Sequence, residues 1–285
     1  MRSSDFAHDL LALIETCAAR TPLPRVRALH LPPPDATGKD AEFCALELDD
    51  GSLGLSYVML DDTLQALIAE RDGRGTSDAK GLAGLPALDL ARAFATESGA
   101  KKALGFAAIN AISQCVFARA GYAFDEDTDS IGQLDPQPGD HVGMIGFFPP
   151  LVGRIVATGA RLTVAELNPD HVGERDGYRV TLDATELEAC NKVLSTSMVL
   201  LNDTLDVVLA HGHNAAWFAM VGPGAGLLPD PLFARGVTLL GGARVVDREG
   251  FVAAIAEGRK WGGHVRKYVI DRAAWPGTKA VLERL

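Results

Sequence analysis

The chain has 285 residues, of which 47% are hydrophobic and 22% are charged, and this balance excludes a disordered protein. Its formal net charge of −10 argues against a nucleic-acid partner, because binding a phosphate backbone needs a concentrated basic face. No uninterrupted apolar stretch is long enough to span a membrane, and the N-terminus lacks the pattern of a secretory signal. We therefore expect a cytoplasmic protein that binds neither nucleic acid nor membrane.

The first half of the chain predicts an α+β unit. A first helix is indicated by Phe6, Leu10 and Ile14, which recur at helical spacing. The predicted elements are a helix over 1–20, strands over 26–31, 43–48 and 53–59, a helix over 61–71, a loop over 71–80 and two helices between 86 and 120. The last of these helices, residues 101–120, is so apolar that we expect it to be buried on most sides.

The second half alternates short apolar strands with helices, which is typical of a mostly parallel sheet covered on both faces. Predicted strands cover 141–148, 161–167, 193–201, 215–221 and 237–246, and predicted helices cover 151–158, 203–210, 231–235 and 248–257. An acidic stretch with prolines separates the halves and is typical of a solvated linker. We predict an α/β protein with a first domain over 1–125, a linker over 126–139 and a second domain over 140–285.

Ligands of open parallel sheets bind at the carboxyl ends of the strands, and four such ends here are unusual in composition. The first carries Gly146, Phe147 and Phe148 ahead of Pro149 and Pro150. Glycine lets a backbone approach a ligand closely, and the two aromatic rings can form a pocket wall. The GxGxxG fingerprint is missing, and the prolines remove amide donors that a phosphate would need. We therefore do not expect a standard NAD or FAD site.

The next two strand ends carry polar side chains. Glu166 lies where a carboxylate can accept hydrogen bonds from a ribose or another diol, or ligate a cation. A solvated acid at a strand end is the simpler interpretation. Asn202, Asp203 and Thr204 lie at a strand-to-helix junction, where capping explains at least one of them. A spare side chain there, or the helix N-terminus, could bind an anion.

The fourth strand end is a glycine-rich loop over 222–226, which includes Gly222, Pro223 and Gly224. Three glycines in five positions favour a turn with positive φ whose amides converge on an anion, although a purely structural loop is equally consistent. His211 and His213 form an HxH pair that lacks the further ligands that zinc requires. We expect this pair to be polar surface.

Five motifs occur in order along the two halves, at residues 105–111, 143–150, 201–205, 222–229 and 232–237. Together they resemble the family called putative heavy-metal chelation proteins. The resemblance implies an N-terminal domain similar to the enolase N-terminal fold, joined to a Rossmann-like domain, with a site in the cleft between them. The sequence departs from the family pattern at Gly224 and Ala225, where a Ser-Thr or Ser-Ala pair is more usual. It also departs at 165–168, where an acid–arginine pair is common.

The leading hypothesis is a protein that binds a metal ion, or a small anionic metal-chelating metabolite, in the interdomain cleft. Asn110 would come from the first domain, the four strand ends from the second, and Lys267 on the last strand would supply charge. Soft transition metals prefer thiolate and imidazole, whereas these ends offer oxygen ligands and N–H donors. We therefore expect a metal to arrive within a chelate, with the 222–226 loop holding its anionic part.

Two alternatives remain open at this stage. One is an enzyme that uses a nucleotide-type cofactor such as S-adenosylmethionine, with Glu166 on the ribose. The other is a non-catalytic assembly protein, in which the apolar helix over 101–120 forms a homodimer interface. The sequence names neither the ligand nor a reaction.

Overall fold

The computed structural model describes residues 3–36, 41–71, 81–129 and 132–285. The predicted loop over 71–80 lies outside the described residues from position 72 onward. The described residues form a three-stranded sheet and an eight-stranded sheet with helices packed around both. None of the helices in the described ranges combines the length and the apolar character needed to cross a membrane.

The first half is an α+β unit, as predicted. Its elements are α1 (Ser3–Arg20), β1 (Val26–His30), β2 (Phe43–Leu48), β3 (Leu53–Tyr57), α2 (Thr63–Arg71), α3 (Ala87–Thr96) and α4 (Gly99–Arg119). The strands β1, β2 and β3 pair antiparallel in chain order. Helix α4 is buried along most of its length, which confirms the prediction made from its apolar composition. Because this chain's own elements cover α4, its apolar surface is not available for the dimer interface suggested by the sequence.

The second half is built on the larger sheet. Its elements are β4 (His141–Ile145), α5 (Pro149–Val156), β5 (Arg161–Ala165), β6 (Gly173–Arg175), β7 (Tyr178–Thr181), β8 (Lys192–Thr196), α6 (Leu205–His211), β9 (Trp217–Val221), α7 (Asp230–Phe233), β10 (Leu239–Val245), α8 (Arg248–Ala256), β11 (Val265–Asp271) and α9 (Thr278–Leu282). The sheet order is β11-β10-β9-β8-β4-β5-β7-β6, with antiparallel strands at both edges. The parallel strands between these edges follow the order 3-2-1-4-5-6 of doubly wound sheets.

The larger sheet is covered on both faces because its strands carry apolar residues on both sides. Successive side chains of a strand point to opposite faces. Met144 therefore packs with α5 on one face, whereas Ile145 packs with α4 and α6 on the other. The core on the α4 side continues from α1 to Tyr268 of β11. The two halves of the chain consequently share one hydrophobic core.

The described part of the stretch between the halves is mostly exposed and contacts the second half at a few positions. The carbonyl of Asp125 accepts a hydrogen bond from the amide of Val269, at 2.9 Å. Arg244 donates from Nε to the Glu126 carboxylate at 2.6 Å, and Leu134 is buried beneath the larger sheet. Residues 130 and 131 lie outside the described part of the chain.

A buried carboxylate also joins the halves. Glu47 of β2 has no solvent exposure. Arg248 of α8 donates to both its oxygens, at 2.6 and 2.9 Å. The ring of His30 lies 2.8 Å from Oε2, and Arg27 lies 3.3 Å from Oε1. Burial acts to raise the pKa of Glu47, but the hydrogen bonds from Arg248 and His30 outweigh it and lower the pKa below its usual value.

Candidate functional site

The direction of the chain across the larger sheet reverses between β4 and β8. From β4 the chain passes through α5 to β5 on one side, whereas β8 pairs with β4 on the other. Such a topological switch point opens a crevice at the carboxyl ends of the strands. Gly146 follows β4 with φ +80, and a Cβ there would lie 2.9 Å from Cγ2 of Thr196 at the end of β8. Glycine is therefore needed for these two strand ends to approach each other.

A cavity of about 620 Å³ lies at this switch point, and we call it the switch-point cavity. Eight of the twelve binding residues predicted from the sequence line it. They are Gly146, Phe147, Phe148, Glu166, Asn202, Thr204, Gly222 and Pro223. The first half contributes Glu42, Phe43 and Tyr57, so both halves of the chain enclose the cavity.

The walls of the cavity are largely aromatic and aliphatic. The ring of Phe43 meets Tyr57 and Trp261 edge to face, with centroid separations of 5.6 and 6.0 Å. On another side the Phe147 ring stacks on Tyr178 at 6.4 Å. Exposed apolar side chains, among them Leu167, Leu182 and Val207, continue this surface to the rim. Walls of this kind suit a ligand with a ring-containing or aliphatic body.

The charge of the lining is negative. Glu42 and Glu166 contribute carboxylates, and no lysine, arginine or histidine occurs among the described residues of the lining. Burial, together with the nearby carboxylate of Glu42, raises the pKa of Tyr57. One oxygen of Glu166 accepts from the amide of Leu167 at 2.7 Å. The charged side chains of the described lining are therefore carboxylates.

The turn after β8 is held in place by a lysine from the other half. Asn202 accepts from the amide and hydroxyl of Thr204, at 3.3 and 2.6 Å. Between them Asp203 adopts φ +60 and accepts a hydrogen bond from Nζ of Lys102, outside the cavity. Lys102 is only 9% exposed, and its ammonium lies 5.7 Å from the centre of the Phe94 ring. Lys102 was not predicted as a site residue from the sequence, although a lysine within so apolar a helix could have indicated a buried polar contact.

Asn110 contacts the 222–226 loop but does not line the cavity. It is 1% exposed, and its Nδ2 donates to the carbonyls of Leu55 and Gly224, at 2.7 and 3.0 Å. One turn further along α4, Gln114 donates to the carbonyl of Gly226 at 2.9 Å. Both side chains thus tie the loop to the first half of the chain.

The 222–226 loop differs from the predicted anion-binding turn. Only Gly222 and Pro223 reach the cavity, while Gly224 is buried against α4. The positive φ lies at Gly222, at +147, and not at Gly224 or Gly226. A Cβ at Gly222 would lie 2.4 Å from the hydroxyl of Ser197, so close approach to the β8 end explains this glycine.

Three other positions singled out in the sequence lie away from the cavity. Lys267 is exposed on the edge strand β11, where it pairs with Ala243 and supplies no charge to the lining. His211 contacts the Glu188 carboxylate at 2.7 Å, and His213 contacts a backbone carbonyl at 2.5 Å. Neither histidine lines the cavity.

The described side chains do not form a metal cage. No three histidine, cysteine, aspartate or glutamate side chains among them are grouped so that they could hold a metal ion. All four cysteines are buried. Burial raises the pKa of the thiols of Cys17, Cys44 and Cys115 to about 12 and that of Cys190 to about 11. Protonated, buried thiols are poor ligands for a soft metal.

Fold and site together define an α/β protein whose two halves enclose a cavity at the switch point of a doubly wound sheet. The sequence model of the DUF364 family, described as putative heavy-metal chelation, matches residues 129–273. A second family model with the same description matches residues 41–113. The chain belongs to the putative heavy-metal chelation family.

Similar proteins agree with this assignment. A protein of unknown function from the same family in Pyrococcus horikoshii has a TM-score of 0.63 at 20% identity, with 95% of this chain and 100% of that chain covered. A family member from Desulfitobacterium hafniense has a TM-score of 0.65 at 20% identity, with 93% and 99% covered. An uncharacterized protein of Methanocaldococcus jannaschii is 32% identical over 156 residues, which are 52% of this chain and 56% of that relative. The two solved structures show that the fold is shared.

Proposed function

We propose that this chain binds a small organic molecule in the switch-point cavity, and that a metal enters the site as a complex of that molecule. The observation that carries the proposal is the lining of the cavity. Its apolar walls and two carboxylates suit an organic body with polar or cationic groups. The family description points to a metal, and the absence of a grouped ligand set among the described side chains favours a metal held mainly by the organic molecule.

Different residues of the lining would have different roles in binding the ligand. The rings of Phe43, Tyr57 and Phe147 would enclose the organic body, since aromatic walls gain from contact area and stacking. The side chains of Asn202 and Thr204 would orient its polar groups. Glu166 would accept hydrogen bonds from a diol or face a bound cation, because the described residues provide no partner for its second oxygen.

Native mass spectrometry of gently purified protein, combined with elemental analysis, tests the proposal. We expect an organic mass to be retained, and any metal to leave together with it. Glu166→Gln should weaken rebinding of the extracted molecule by ~1–3 kcal/mol, the loss for a neutralised charged hydrogen bond, with little change in melting temperature. Glu283→Gln, on the exposed end of α9, is the matched control and should bind normally. Stoichiometric metal retained without an organic molecule would contradict the proposal.

A second candidate is an enzyme that uses a nucleotide-type cofactor such as S-adenosylmethionine. The strand order supports it, because Glu166 follows the second strand of the 3-2-1-4-5-6 order, where an acid binds the ribose of a nucleotide. S-adenosylmethionine should then raise the melting temperature of the wild-type protein and not that of Glu166→Gln. An equal shift in both proteins, or none in either, would remove this candidate.

A further inference from the structure

Several backbone amides around the switch-point cavity already donate hydrogen bonds within the protein. At the end of β4, the amide of Gly146 donates to the carbonyl of Ala165 at 2.9 Å. The amide of Phe148 contacts a methionine sulfur of the same strand at 3.5 Å. Pro149 and Pro150, which begin α5, have no N–H group. The helix start that holds the pyrophosphate in dinucleotide-binding sheets therefore lacks its donors here.

The other strand ends repeat this pattern. Pro223 lacks an amide hydrogen, and several amides already donate within the protein over 2.7 to 3.3 Å. These amides belong to Glu166, Leu167, Met198, Thr204 and Gly222. Anion sites built from backbone depend on converging N–H groups that have no other partner. The amides named here are therefore committed to the fold.

The charged side chains of the described lining are acidic. The described lining has carboxylates at Glu42 and Glu166 and no cationic group. Two basic residues lie behind it. Lys102 is engaged by Asp203, and the His171 ring packs 5.6 Å from Phe147. An incoming phosphate or carboxylate would meet the Glu166 carboxylate, without an arginine or lysine from the described lining to stabilise it.

We infer that the switch-point cavity selects phosphate-free organic ligands that are neutral or cationic, and rejects their phosphorylated counterparts. The inference rests on the proposed function and narrows it to a class of ligand. For nucleoside-type molecules it favours a nucleoside or a sulfonium nucleoside over a nucleotide. For metal complexes it favours those with no net negative charge. The amides and side chains that set this preference belong to four different strand ends, so the preference is a property of the whole cavity.

A fragment screen by ligand-observed NMR on the full chain tests the inference. The library contains ring compounds as neutral, cationic and phosphorylated versions of the same scaffold, including adenosine with AMP and riboflavin with FMN. Hits are assigned to the cavity when they are lost in Val207→Trp, which fills its rim. Val172→Trp is the matched control, because Val207 and Val172 are similarly exposed, at 49% and 44%, and Val172 is not part of the lining.

We expect the neutral and cationic members to bind in the cavity about tenfold or more tightly than their phosphorylated partners, because a phosphate would face like charge in the lining. Glu166→Lys should reduce or reverse the ratio of affinities between the unphosphorylated and the phosphorylated members. Phosphorylated members that bind in the cavity as tightly as their partners would overturn the inference and leave the proposed function standing. A screen with no hit in the cavity from any charge class would overturn both.

Discussion

Replacing Asn110 by aspartate is the sharpest test of how the two halves are joined. The Asn110 amide group donates to the carbonyls of Leu55 and Gly224 from a position that is 1% exposed, and its oxygen has no hydrogen-bond partner. A neutral carboxyl group can donate to one of these carbonyls but not to both. An ionised carboxylate would face both carbonyl oxygens with no donor at all.

The size of the effect follows from this geometry. The neutral form leaves one buried carbonyl with a lost bond, which costs ~1–3 kcal/mol. Burial beside two carbonyls should also raise the pKa of the new carboxyl group in the folded state above the ~3.9 of the unfolded chain. Below pH ~3.9 both states are protonated and the pH-dependent penalty is absent. As the pH rises towards the folded-state pKa, the free energy of unfolding should fall by up to ~1.4 kcal/mol per pH unit relative to wild type.

Urea denaturation of wild type and Asn110→Asp between pH 4 and 8 measures this slope. Gln114→Glu is the matched control, since Gln114 lies one turn further along α4 and donates to the carbonyl of Gly226 at 2.9 Å. Gln114 is partly exposed, so a carboxylate there keeps some hydration and its slope should be much shallower. If the free energies of unfolding of Asn110→Asp and wild type change equally with pH across this range, the two buried hydrogen bonds donated by Asn110 are refuted.

Three further outcomes are expected. Glu47→Gln should lower the free energy of unfolding at pH 7 by ~1–3 kcal/mol, less than for a fully buried ion pair because the main partner is partly exposed. Since the pKa of Glu47 is lowered in the folded state, its contribution is present at neutral pH and is lost as the pH falls through that pKa. In urea curves, the free energy of unfolding of wild type should include this loss at low pH, and that of Glu47→Gln should lack it. Gly222→Ala should lower stability by ~1–3 kcal/mol, because φ is +147 and the new Cβ would lie 2.4 Å from Oγ of Ser197. If Gly222→Ala melts at the same temperature as wild type, the close approach of residue 222 to Ser197 is ruled out. The double variant His211→Ala, His213→Ala should keep the metal content of wild type, and a loss of bound metal on elemental analysis would restore a direct histidine site.

The elements of the fold were predictable wherever local sequence decides them. The two helices predicted between 86 and 120 correspond to α3 and α4, and the strands predicted over 43–48 and 53–59 correspond to β2 and β3. The strands β6 and β7 were missed, because they span only three and four residues and β6 has no buried side chain. The strand predicted over 193–201 ends at Thr196, where a 3-10 turn begins whose buried apolar residues resemble a strand in sequence.

The site was predictable to the extent that it depends on strand ends. The rule that ligands bind at carboxyl ends needs only the order of strands and helices, so Phe147 and Asn202 could be chosen from sequence. The opposite wall could not, because Phe43 and Tyr57 reach the cavity only through the packing of the first half on the second. The contribution of Lys267 was mispredicted for a different reason, since this residue lies on the edge strand β11, away from the cavity.

Helix α4 carries the anchors of two cavity loops. Lys102 holds the turn that contains Asp203, and Asn110 holds the 222–226 loop. These anchors are eight residues apart on one helix, or about 12 Å along its axis. An insertion or deletion of one residue between them would turn one anchor by about 100° relative to the other. The spacing within the first half therefore sets the distance between loops of the second.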